Sequence, residues 1–116
     1  MSPDDDIRVQ HMIDAAEAAL RFVKGRKRDD LTRDELLVFG LVRAIQVIGE
    51  AAARVSPEGR MKLPEVPWKE IVGMRNRLVH AYFDVDLGIL WDTVTVALPD
   101  LLAKIRVRRP ASGGET

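Results

Sequence analysis

The chain contains no cysteine, so neither a disulfide nor a thiolate metal site can contribute, and the fold must rest on apolar packing alone. That composition suits a reducing compartment and leads us to expect a cytoplasmic protein. Histidine is almost as scarce, with two in the chain. Two imidazoles and no thiolate are too few strong ligands for a metal site, and neither a metal nor another cofactor is expected. An excess of charge of one sign is missing as well. Lys plus Arg and Asp plus Glu are both 18, a formal net charge of zero. No global field therefore draws the protein onto nucleic acid, and any such contact must be local. A near-neutral surface also favours a partner that covers part of it. No apolar run approaches the roughly 20 residues of a membrane span, and the start, Met1-Ser2-Pro3-Asp4-Asp5-Asp6, is acidic rather than basic. No membrane association is expected. At 116 residues there is room for one domain.

What is present is helical periodicity, and nothing alternates like a strand for long enough to compete with it. Four helices are readable. In the first, Val9, Ile13, Ala16, Leu20 and Val23 share one face, the acidic start suits the positive end of the helix dipole, and Gly25 ends it. Thr32-Arg33-Asp34-Glu35 reads as a capping box opening the second helix, which extends to about Val55. Its stripe of Leu37, Leu41, Ile45, Ile48, Ala52 and Val55 is widened by further apolar residues, so burial on two sides is expected. Gly40 and Gly49 would let another backbone approach closely. Ser56-Pro57-Glu58-Gly59 reads as a turn, and Pro67 as the first position of helix three, which runs to somewhere between His80 and Phe83. Asp84 or Asp86 caps helix four, whose stripe runs from Leu87 to Ile105 and in which Pro99 should cause a kink. The expected division is a helical domain over 1–109 and a disordered tail over 110–116, where composition turns small and polar.

One short stretch gathers chemistry: Arg75-Asn76-Arg77-Leu78-Val79-His80-Ala81-Tyr82. An imidazole titrating near neutral pH is the usual proton carrier, and a guanidinium is a fixed clamp for phosphate. Together they are the minimum for cutting RNA without a metal: a base takes the ribose 2′-OH proton, the oxygen attacks the adjacent phosphorus, and the cation stabilises the developing charge. Helical geometry limits who can cooperate. At roughly 100° per residue Asn76 and His80 share a face, whereas Arg75 and His80 diverge by roughly 140°. Either the helix ends before His80 and the turn swings it round, or a second copy of the helix across a twofold axis supplies the missing groups.

The same stretch carries a resemblance. Arg75-x4-His80-x-Tyr82, with Asn76 directly after the Arg, resembles the R-x4-H-x-Y signature of the HepT-like proteins, a branch of the HEPN superfamily. Ile48-Gly49-Glu50-Ala51, Pro67-Trp68, Ile71-x-Gly73-Met74, Asp84-x-Asp86 and Leu98-Pro99 are similar to the family's segments in the same order, so the likeness covers residues 4–107. It implies an all-α, four- to five-helix up-and-down bundle that forms a homodimer with both motifs facing one cleft. It further implies a toxin of a toxin–antitoxin pair, a metal-independent endoribonuclease cleaving tRNA or mRNA. Arg75 and His80 would be the catalytic pair, Asn76 would orient or contact phosphate, and Tyr82 would be modified with AMP by a cognate MntA-like nucleotidyltransferase antitoxin.

Other residues keep two readings. Glu50 supports the site from helix two or is simply solvated or paired with Arg54. Arg77 contacts RNA phosphates or is a solvated charge. Trp68 and Trp91 sit at core positions rather than as base-stacking platforms, and His11 lies off the first helix's apolar stripe, structural or exposed. Arg26-Lys27-Arg28 is cancelled by Asp29-Asp30. A different class of function, a non-catalytic nucleotide-binding or scaffold partner of a nucleotidyltransferase, would use the same helices and the same Arg75.

Overall fold

A computed structural model describes residues 1–81 and 84–108, with the backbone alone for 79–81, 107 and 108. The fold is all-α, as expected. Helix α1 spans Pro3–Val23: Ser2 caps it by accepting the Asp5 N–H at 3.1 Å, and Gly25 leaves it at φ +75°. A 3-10 turn, Arg28–Thr32, leads to α2, Glu35–Ala53. The expected capping box is displaced here. The Thr32 hydroxyl donates back to the Asp29 carbonyl at 2.7 Å, and Asp34 caps α2 instead, accepting the Leu37 N–H at 3.0 Å. Arg26 explains the shift: it bridges Asp30 at 3.3 Å and Asp34 at 2.7 Å, and so closes the turn over the residues that would have extended the helix backwards. Of the basic cluster, Arg26 is the residue these pairs neutralise, and Asp34 shares that role with Asp30 where Asp29 was expected to.

Helix α2 lies between α1 on one side and two short helices, α4 (Trp68–Val72) and α5 (Met74–Leu78), on the other. Gly49 makes the second contact close. A Cβ there would stand 3.4 Å from the Val72 carbonyl oxygen and 3.5 Å from that of Ile71. With only Arg43 and Glu50 charged over 36–53, α2 is long and apolar enough by length and composition to cross a membrane, contrary to the expectation that no run was. Half of that window is buried inside the protein, which is what the core helix of a small bundle requires.

The turn expected at Ser56 opens a helix, α3 (Pro57–Lys62), with Ser56 as cap and Pro57 in the first turn. Asp5 fixes this corner. Its buried carboxylate accepts the Ser56 N–H at 2.8 Å and the Ser56 hydroxyl at 2.5 Å, tying the start of α1 to the residues just past α2, so the two helices run antiparallel. Gly59 is needed opposite, because a Cβ would meet Asp5 Oδ2 at 2.6 Å. Trp68 is half-buried against the core rather than fully within it: its Nε1–H donates to the Leu63 carbonyl at 3.1 Å and Arg60 stacks on its ring.

The single third helix expected from Pro67 to about His80 is broken twice. Gly73 ends α4, with Pro67 as its cap, and α5 ends at Leu78. There β1 (Val79–Ala81) pairs antiparallel with β2 (Asp84–Val85), and the Asp86 N–H reaches the Leu78 carbonyl at 2.7 Å. The β-branched and aromatic residues after Leu78 prefer extended backbone, and this overrides a pattern too short to hold a helix. Asp86, rather than Asp84, caps α6 (Leu87–Asp92). A π-helical turn, Thr93–Ala97, joins α6 to α7 (Leu98–Arg108). The disturbance expected from Pro99 takes this form: Pro99 leaves the Thr95 carbonyl without its donor, and the Leu98 N–H reaches back five residues to Thr93. Leu90, Val94, Leu98, Leu101 and Ile105 are buried along this rod, whose π-helical turn and α7 pack on α1 while α6 packs on α5 and the 3-10 turn. The expected tail over 110–116 lies outside the described residues.

Three carboxylates sit below their usual range. Asp5 is held down by the Ser56 hydroxyl and then the Ser56 N–H, Asp30 by the Lys27 N–H and then Arg26 and Arg33, and Asp34 by Arg26 and then the Leu37 N–H. Because their folded values lie below the unfolded value of 3.8, the stability they contribute is complete above that pH and is lost as pH falls through the folded values. Urea melts should show a midpoint steady down to about pH 4 and falling below it. Asp5→Asn should flatten that acid slope; an unchanged slope would mean that the Asp5–Ser56 contact is not maintained in solution.

Candidate active site

The split of the third helix decides what the motif can present. With α5 ending at Leu78 and residue 80 on β1, the chain itself turns between Arg75 and His80. Of the two geometric options, an early helix end is the one observed, and the 140° divergence of a continuous helix does not apply. The His80 side chain and the whole of Tyr82 lie outside the described residues.

Arg75 and Asn76 are exposed on α5, and they line one cleft with Gln46, Gly49, Glu50 and Ala53 of α2 and Val72 of α4. Glu50 therefore reaches the same cleft as the motif arginine, through the close α2–α4 packing that Gly49 permits. It does not pair with Arg54. It accepts from Gln46 Nε2 at 3.1 Å and faces Arg43 at 4.0 Å, both contacts well exposed and so loosely held. Arg75 and Asn76 make no hydrogen bond or ion pair through their side chains with a described residue, so both are available to a ligand. Arg77 is exposed but does not line this cleft, which leaves it as a solvated charge in this chain alone.

Chemically, the cleft offers a guanidinium and a carboxamide beside a carboxylate, with the histidine-bearing strand leaving the end of α5. That set can clamp a phosphate and orient it. Among the described residues no group of His, Asp and Glu is arranged to hold a metal ion.

Compared with known families, the chain matches the model described as Ribonuclease HepT-like over residues 12–107. The chain belongs to the HepT-like ribonuclease family. Its match with that family includes α2, the cleft and the whole R-x4-H-x-Y stretch. A protein of Caldanaerobacter subterraneus subsp. tengcongensis, named provisionally as an RNase, is 37% identical over 84% of this chain and 88% of its own length. One of Thermococcus cleftensis, named provisionally as ribonuclease HepT, is 34% identical over 87% and 92%. Another provisional RNase, from Methanocaldococcus jannaschii, is 31% identical over 83% and 88%. No solved structure matches the chain. The family and the names of these relatives point to RNA cleavage.

Reading from sequence missed one feature of this surface. His11 is exposed, one of the two readings its position allowed, and it lines a second pocket with Arg8, Arg43, Val47, Glu50, Ala51 and Arg54. The signal was there in the spacing: 43, 47, 50 and 54 follow one face of α2, and 8 and 11 one face of α1.

Proposed function

We propose that this chain is the toxin of a toxin–antitoxin pair, a homodimeric, metal-independent endoribonuclease acting on tRNA or mRNA in the cytoplasm. The observation that carries the reading is the exposed, unpaired Arg75-Asn76 pair in a cleft walled by Glu50, with the residue-80 strand leaving directly from its helix. In this mechanism the His80 imidazole removes the 2′-OH proton, and the freed oxygen attacks the adjacent phosphorus. The 5′ oxygen then leaves as a hydroxyl, taking a proton from solvent. Arg75 holds the non-bridging oxygens as their charge grows, and Asn76 fixes the phosphate's orientation. The upstream fragment ends in a 2′,3′-cyclic phosphate, and DNA, lacking the nucleophile, is spared.

Dimerisation is supported by the outer face of α2. Leu36 is 81% and Phe39 60% exposed there, and the same face continues through Arg43 to Glu50 at the cleft. A second copy laid on that face would cover the apolar end and bring two clefts together. The antitoxin is a nucleotidyltransferase that adds AMP to Tyr82.

The test is incubation of the purified chain with single-stranded and structured RNA in excess chelator. Cleavage with cyclic-phosphate ends is expected at the rate seen without chelator, and the corresponding DNA should stay intact. Intact RNA across varied substrates, with tight nucleotide binding instead, would replace this reading by a non-catalytic binding partner of the transferase.

A further inference from the structure

The second pocket lies between α1 and α2, on the opposite side of Glu50 from the Arg75 cleft, and Glu50 lines both. It gathers three arginines and one histidine, Arg8, His11, Arg43 and Arg54, against one carboxylate, in a chain whose charges sum to zero. The positive charge that the composition spreads evenly is therefore concentrated here.

The three arginines are largely uncommitted. The ion pairs of the described residues tie Arg26 and Arg33 to Asp30 and Asp34, Lys104 to Asp100, and Arg106 to Glu17. In the pocket the one pair is Arg43 with Glu50, 4.0 Å apart and both more than half exposed. So weak a contact leaves the Arg43 guanidinium free to turn to a stronger anion. Arg8 and Arg54 hold none among the described residues.

We propose that this pocket is a second phosphate subsite, which holds the sugar–phosphate backbone of a single-stranded RNA on the far side of Glu50 from the bond that is cut. The inference rests on the ribonuclease reading for its ligand. Guanidinium groups match phosphate oxygens in pairs, and several around one pocket select a phosphodiester over an isolated carboxylate. The Glu50 carboxylate repels phosphates from the ridge itself, so a strand crossing it must seat them on either side, at Arg75 and at Arg8–Arg54. A protein of zero net charge thereby gains a local track for RNA.

The experiment measures binding without cleavage, so that it stands or falls separately from catalysis. His80→Ala protein is titrated with a labelled single-stranded RNA of about a dozen nucleotides, long enough to cover both pockets. The same is done with Arg8→Ala and Arg54→Ala added, across a series of salt concentrations. The added pair should weaken binding roughly tenfold or more, and should make the slope of log K against log salt shallower by about 1.4, two phosphate contacts at ~0.7 each. Single-stranded DNA should lose as much, because the subsite reads phosphate. Lysines at both positions should restore most of the slope, whereas Arg21→Ala with Lys24→Ala, which removes equal charge at the C-terminal end of α1 and its cap, should leave it near the parent value. Unchanged affinity and slope in the Arg8/Arg54 protein would overturn the proposal, as would an equal loss from the Arg21/Lys24 pair. Both sets change exposed or half-exposed residues, and circular dichroism confirms the fold in each case.

Discussion

Purified His80→Ala and Arg75→Ala proteins should fold, keep their oligomeric state, and lose RNA cleavage. Removing a general base costs about 10²–10⁴ in rate, and removing a cation aimed at charge that develops in the transition state costs about 10²–10³. The loss should fall on kcat more than on KM, since both groups act on charge that exists only during reaction. Stability should hardly move for Arg75, whose exposed side chain touches no described partner; such surface changes stay within about 0.5 kcal/mol. Arg75→Lys should recover part of the rate, keeping the charge and losing the two-pronged geometry. Mixing the two inactive proteins separates two versions of the site. If Arg75 of one subunit serves His80 of the other, mixed dimers regain one intact site and activity returns; if each subunit is self-sufficient, part of the activity returns only when one chain in the mixture is wild type. The early end of α5 at Leu78 makes the self-sufficient version geometrically open, which a continuous helix would have excluded. A His80→Ala protein that cuts RNA at the wild-type rate would remove the base from the mechanism and the mechanism with it.

Much of the bundle was legible because its determinants are local and periodic. The stripes of α1, α2 and the α6–α7 rod are largely buried where their spacing put them, with Leu20 and Leu87 partly so and Leu36 and Phe39 of α2 exposed; Gly49 admits a close backbone approach as expected, whereas Gly40 meets only the Phe22 ring. The misreadings share a cause, which is competition settled by residues distant in the pattern. Thr32 had the better capping sequence, but Arg26 gathers Asp30 and Asp34 into a turn that hands the cap to Asp34. The third helix looked continuous because its apolar residues keep helical spacing through Val79, whereas strand pairing with Asp84 and Val85 wins after Leu78. Asp5 is a contact across 51 positions that no local rule anticipates. At the site, the motif and Glu50 were found in the sequence, but the basic pocket was not. Its residues come from two helices whose relative rotation only packing determines, and their cancelling charges hide it in any sum over the chain.

Treatment with the nucleotidyltransferase and ATP should abolish cleavage, and Tyr82→Phe protein should cut RNA but escape the neutralisation. In this reaction the Tyr82 oxygen attacks the α-phosphorus of ATP and pyrophosphate leaves, so each AMP adds a nucleoside and one phosphodiester charge. Two peptide units separate residues 80 and 82, so their Cα atoms can be no more than about 7 Å apart whatever the local conformation. The added anion sits at the end of the Tyr82 side chain, so the backbone bounds only its anchor point, and its charge acts on the His80 position when that side chain turns toward it. Turned toward the cleft, it would compete for Arg75 with the phosphate to be cut, and its bulk would obstruct the strand. The block should act mainly on binding: modified protein should show a much weaker affinity for RNA in the His80→Ala background, with its fold unchanged. Raising salt should not rescue it, because screening weakens the RNA's attraction as much as the modification's repulsion and leaves the bulk in place. If Tyr82→Phe is neutralised as fully as the wild type, the acceptor lies elsewhere. If modified protein still binds and cuts RNA normally, charge beside His80 is not what silences the proposed enzyme.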